Sequence, residues 1–133
     1  MAVRPSEHWR ALITEEGRQV TAGMLDPECA RMADSYSENF LSDTDAVLTE
    51  FQSNVSAIAE PMDDQVFHVV GSVVLALNEV NDRYETSTFD TDEREQLCVF
   101  IDEVLTEHGI DVAGLAARHR ISRYEITDRW RRW

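Results

Sequence analysis

The sequence predicts an all-α fold: a single compact bundle of six or seven helices around a central buried helix at about residues 62–84. Three observations predict it. Val66, Val70, Val73, Leu77, Val80 and Tyr84 recur at spacings of four, three, four, three and four, which is one face of a helix. Five glycines and three prolines in 133 residues are few for a chain of many tight turns. The other apolar residues also fall at helical spacing, between Ser, Asp and Pro signals that start helices.

Taken in order, residues 1–25 read as one helix or one broken helix. Ser6 is its cap, Trp9, Leu12, Ile13 and Val20 are its apolar points, and Gly17 and Gly23 weaken it. Asp26-Pro27-Glu28 is a fresh start, with Asp26 as N-cap and Pro27 in the first turn. Cys29, Met32, Ala33 and Tyr36 follow at helical spacing, and Phe40 and Leu41 close that segment. Ser42-Asp43-Thr44-Asp45 opens the next helix, with Val47, Leu48, Phe51, Val55 and Ile58 as its stripe. Pro61 ends it and opens the central one.

The central stretch is rich in β-branched valine, which favours strand. Its length, far beyond that of a typical strand, decides for helix. Asp63 and Asp64 in the first turn complement the positive helix end. Phe67 and Val74 widen the stripe, so cover is expected from more than one side. Gly71 and Ser72 in its middle would let a partner helix approach closely.

Residues 81–89 read as a polar connector. Asp90, three residues before Glu93, makes a capping-box pattern, and Leu97, Cys98, Ile101, Val104 and Leu105 follow. Gly109 closes that helix. Asp111 caps a short helix with Val112, Leu115 and Ala116, and Tyr124 to Trp133 would be a last helix after an Ile121-Ser122 turn. One domain, 1–133, follows from the length, and residues 90–133 read as a C-terminal three-helix subdomain within it.

Charge is the unusual feature. The chain carries 26 acidic residues against 12 basic ones, a formal net charge of −14, and every basic residue is arginine. Residues 118–133 hold six arginines against Glu125 and Asp128, a local charge of +4 that leaves −18 on the rest. An acidic body of this size repels nucleic acid and membrane surfaces and attracts basic proteins. The alternative is simple solubility. No run of about 20 apolar residues suggests a membrane span. The first ten residues lack the apolar core of a signal peptide. Cys29 and Cys98 form no CxxC, so reduced, largely buried thiols in the cytoplasm are expected.

Motifs for catalysis are scarce. Asp64 and His68, one helical turn apart, are two of the three or four ligands a metal needs, and nothing in the sequence supplies the others. A partly buried, hydrogen-bonded histidine is the expected alternative. Glu93, Glu95, Asp102, Glu103 and Glu107 share one helix and read as a solvated acidic face. Cys98 lies in an apolar stripe, as a core residue does. There is no GxSxG, GxxxxGK[ST] or GxGxxG. No metal and no cofactor is therefore called for, and a small metal-dependent hydrolase ranks last.

From Leu115 to Trp130, LA opens a short helix, Ile121-Ser122 makes the turn, Ile126 follows, and Trp130 stands among arginines. This resembles the helix-turn-helix unit of bacterial DNA-binding domains. The resemblance implies three helices at 91–108, 111–119 and 122–132, with Arg123, Tyr124 and Thr127 facing DNA. Arg120 stands where the turn usually has glycine, at a cost of about 1 kcal/mol if left-handed. Glu125 and Asp128 lie in the would-be recognition helix. The competing reading is a hairpin whose Ile121, Ile126, Trp130 and Trp133 pack on the body while its arginines meet acidic surface.

The stretches Val73 to Asn81, Thr91 to Cys98 and Ile126 to Trp130 look like those of small bacterial proteins of the toxin-immunity kind. That resemblance implies neutralisation of a partner protein. The leading expectation is a non-enzymatic, cytoplasmic protein that binds and neutralises a basic partner such as a toxin or nuclease. Its contact faces would carry Asp43, Asp45, Asp63, Asp64, Glu93, Glu95, Asp102 and Glu103.

Overall fold

The computed structural model describes residues 2–133, which are all-helical, with no strand among them. Five helices carry the fold: α1 (Pro5–Thr21), α2 (Glu38–Ser56), α3 (Asp63–Arg83), α4 (Thr91–Glu107) and α5 (Val112–Arg118). A single α-turn at Met32–Ser35 and two 3-10 turns, Pro27–Cys29 and Arg123–Glu125, complete the regular structure. The count is five helices rather than six or seven, because two expected helices do not propagate. Asp26 caps its turn as expected, accepting from the Glu28 N–H, but the helix it opens stops at Cys29. At the other end, residues 122–132 form a 3-10 turn and a run of turns instead of a third helix.

Three of the five helices, α2, α4 and α5, begin at a side-chain cap. Pro5 occupies the first position of α1, where its missing N–H costs nothing. Ser6 does not cap α1; it is buried, and its hydroxyl donates to Asp45 on α2. Helix α2 starts four residues before the expected Ser42, because the Ser37 Oγ accepts from the Phe40 N–H. That start brings Phe40 and Leu41 onto the same buried stripe as Leu48, Phe51 and Val55. Asp90 and Glu93 form the expected capping box at α4, and Asp111 caps α5 through the Gly114 N–H.

Helices α2 and α3 pack along each other as a hairpin through the loop 57–62. Helix α1 lies across α2 and α4, and α5 lies against α4. Helix α3 buries Val66, Val69, Val70, Val73, Val74, Leu77 and Val80. One of its flanks meets α2, and another is covered by the terminal segment 119–133, which lays Trp130 on it. A Cβ added at Gly71 would stand 2.9 Å from Trp130 Cε2, so this glycine admits an indole ring rather than a helix. Buried residues from all five helices form one hydrophobic cluster.

The connector 84–90 is less polar in structure than in sequence. Phe89 is buried among Trp9, Phe40 and Trp133, at ring-centroid distances of 6.1, 5.0 and 5.4 Å. Ser87 is buried too; its hydroxyl donates to Asp34 O at 2.8 Å and accepts from the Ser37 N–H. The fully buried Trp9 stacks on Tyr36 at 5.4 Å and donates its Nε1–H to Gln96 Oε1. No helix of the described residues is long and apolar enough to cross a membrane.

Candidate interaction surface along helix α4

The terminal segment is held to the body by polar contacts. Asn78, buried on α3, donates to Trp130 O at 2.7 Å and accepts from the Arg132 N–H at 3.1 Å. Arg123 makes two bonds to Asp102 on α4, at 2.6 and 2.7 Å. Arg132 pairs with Asp82, and Arg118 grips Asp63 through both carboxylate oxygens. His119 Nε2 adds a third contact to Asp63 at 3.0 Å, its ring edge-on to Phe67. Arg129 lies over the Phe67 and Trp130 rings.

Between α4 and this segment runs a groove of about 570 Å³, floored by Cys98 and Ile126 and walled by Val99, Asp102, Arg123 and Tyr124. A second hollow on the opposite flank of α4 lies between Val3, Pro5 and Val99. The strip of α4 dividing them carries Glu95, Val99 and Glu103, which line both. Val3, Val99 and Tyr124 are 65, 55 and 85 % exposed. Met24, Met62 and Leu75 are exposed to a similar degree elsewhere, so what marks this surface is that Val3, Val99 and Tyr124 gather about one strip of α4.

The eight acidic residues singled out in the sequence do not form one face. Asp43 accepts from Arg83 and Tyr84, and Asp45 from Ser6 and Arg10. Asp63 is held by Arg118 and His119, which bring its carboxyl down to about 2. Glu93 is 8 % exposed and belongs to the capping box. Burial and the nearby Glu93 carboxylate push the Tyr36 hydroxyl up to about 12. Asp102 is engaged by Arg123. Asp64, Glu95 and Glu103 remain without an ion pair among the described residues. Only Glu95, Asp102 and Glu103 come together, along the α4 groove.

The three residues assigned to DNA contact line the same groove. Arg123 faces Asp102, and Thr127 is 1 % exposed with its hydroxyl 3.6 Å from Cys98 Sγ. Tyr124 alone projects freely. The recognition helix that the resemblance required is absent, because Ser122 opens only a 3-10 turn and Ile126, Thr127 and Trp130 turn inward instead.

The thiols and histidines depart from expectation as well. Cys29 is exposed in its 3-10 turn, and Cys98 is half-buried at the groove floor. His68 is exposed and shares a shallow hollow with Asp64, Glu60 and Met62. Among the described residues no group of three or more His, Cys, Asp or Glu is placed to hold a metal ion. Sequence reasoning named Glu95, Glu103 and Tyr124 but missed the exposed Val99 between the two carboxylates. The signal was there, in that Glu95, Val99 and Glu103 recur every four residues opposite the buried stripe. Comparison with family models, with curated proteins and with solved structures finds no match for this chain.

Proposed function

We propose that this chain is a non-enzymatic acidic protein that binds and neutralises a basic protein partner, as immunity proteins do. The observation that carries the reading is the α4 surface, where exposed Val99 and Tyr124 lie beside the unpaired carboxylates of Glu95 and Glu103. Internal pairing sharpens the charge balance. Seven of the twelve arginines are tied to carboxylates of the same chain. The basic charge is therefore largely engaged, while Glu95, Glu103 and other carboxylates stay free to speed encounter with a cationic surface.

The test is capture at low salt from lysate of the organism that encodes the chain. A stoichiometric basic protein, released by about 0.5 M salt and losing its activity when bound, is the expected result. Recovery of no basic protein, or of one whose activity is untouched, would overturn the reading. A DNA mobility shift abolished by Arg123→Ala would point to the terminal segment as a nucleic-acid contact instead.

A further inference from the structure

This inference rests on the reading just given and concerns what the α4 surface takes from the partner. We propose that the strip Glu95–Val99–Glu103 docks an amphipathic helix of the partner that carries a Lys or Arg on each side of one large apolar residue. Residues four apart share a helix face, and at 1.5 Å per residue the two carboxylates are about 12 Å apart along the axis. Val99 sits midway. The grooves beside it follow α4, one of them lined from Arg94 to Glu103, as a helix-shaped ligand requires.

Charge decides the sign of the ligand. Asp102 is spoken for by Arg123 and Arg131 by Asp128, which leaves Glu95 and Glu103 against Arg94 as the groove charges without an ion pair among the described residues, a net negative balance. A partner helix packed ridge-into-groove on α4 would place its apolar residue in one hollow beside Val99. Basic residues four positions to either side would then reach Glu95 and Glu103. Tyr124 forms the outer wall, with a ring that can cover the apolar residue or a Lys or Arg stem. A second copy of this chain would bring another −14 of charge to the same surface, which favours a foreign partner.

The probe is a labelled synthetic helix, Lys-x-x-x-Leu-x-x-x-Lys in an alanine-rich host, titrated against the full chain at low salt by fluorescence anisotropy. A peptide of identical composition with the Lys and Leu positions permuted is the control. The permuted peptide is expected to bind about tenfold more weakly, a difference of about 1.4 kcal/mol. Glu95→Gln with Glu103→Gln should also weaken binding of the patterned peptide about tenfold, and Val99→Asp likewise. Glu50→Gln with Glu79→Gln removes the same charge elsewhere and should change binding less than about twofold. If both peptides bind alike and both double variants weaken them equally, the strip is not the site, although the acidic-binder reading stands. If neither peptide binds at low salt, the strip does not dock such a helix, and the acidic-binder reading is then decided by the capture experiment alone. A dimer of the wild type that Val99→Asp dissociates would make the strip an interface between copies and overturn the proposal.

Discussion

Arg120 sits at φ 59°, in the left-handed region that a side chain normally avoids. The reason is the way α5 ends. The Ile121 N–H donates back to Ala116 O at 3.0 Å and the Arg120 N–H to Ala117 O at 3.2 Å, a Schellman closure. Helices α1 and α4 close by the same pair of bonds, with Gly23 and Gly109 in the left-handed position. Arginine at this place carries a cost that glycine would not. Arg120→Gly is therefore expected to raise the unfolding free energy by about 1 kcal/mol, read as a higher urea midpoint at unchanged slope. An unchanged or lower midpoint would show that the Arg120 side chain contributes more than its backbone costs. A second residue-scale effect concerns acid. Arg118 and His119 lower the Asp63 carboxyl from 3.8 to about 2. A depressed carboxyl contributes stability above its unfolded value and loses it as pH falls through the folded one. Asp63→Asn should flatten the fall in stability between about pH 4 and pH 2. Equal acid limbs for variant and wild type would contradict this.

At the scale of elements, the terminal segment shows most clearly what local sequence left open. Residues 122–132 have helical spacing of apolar residues, yet the segment makes only turns. Ile126, Trp130 and Trp133 turn toward the body, and Asn78 satisfies the Trp130 carbonyl and the Arg132 amide that a helix would have paired internally. Its fit is imperfect. Arg131 Nε and Trp133 Nε1 are buried without a hydrogen-bond partner among the described residues, each at about 1–3 kcal/mol. Those two orphaned groups weaken its hold on the body. Gly71→Leu, which fills the space under Trp130, should lift it off α3. Tryptophan emission would shift to the red, and proteolysis between residues 118 and 133 would quicken while α1 to α4 stay protected. Unchanged cleavage would mean that the ring shifts sideways without releasing the segment. The connector 84–90 carries the same lesson. Ser87 and Phe89 read as loop residues, and nothing local shows that they lie inside an aromatic cluster built by Trp9 and Phe40.

Over the whole molecule, the arginine pairs do not cancel the acid. A formal charge of −14 on 133 residues leaves net self-repulsion in the folded state. Raising sodium chloride from about 10 mM to about 150 mM should therefore raise the thermal midpoint, because screening weakens distributed repulsion more than close pairs such as Arg123–Asp102. A midpoint that falls with salt would show that the ion pairs outweigh the repulsion. The sequence by itself determined the helical class, the rods at Asp63–Arg83 and Thr91–Glu107, and the excess of acid. Those depend on spacing, capping and composition, which act within a few turns of chain or on the sum of all residues. Only the tertiary structure decided which carboxylates are spent internally, which way the terminal arginines face, and that Val99 and Tyr124 are left in water. Apart from the i, i+3 pairs Arg18–Glu15 and Arg131–Asp128, those pairings join residues far apart in the chain, such as Arg123 with Asp102 or Arg118 with Asp63, and no local pattern encodes them.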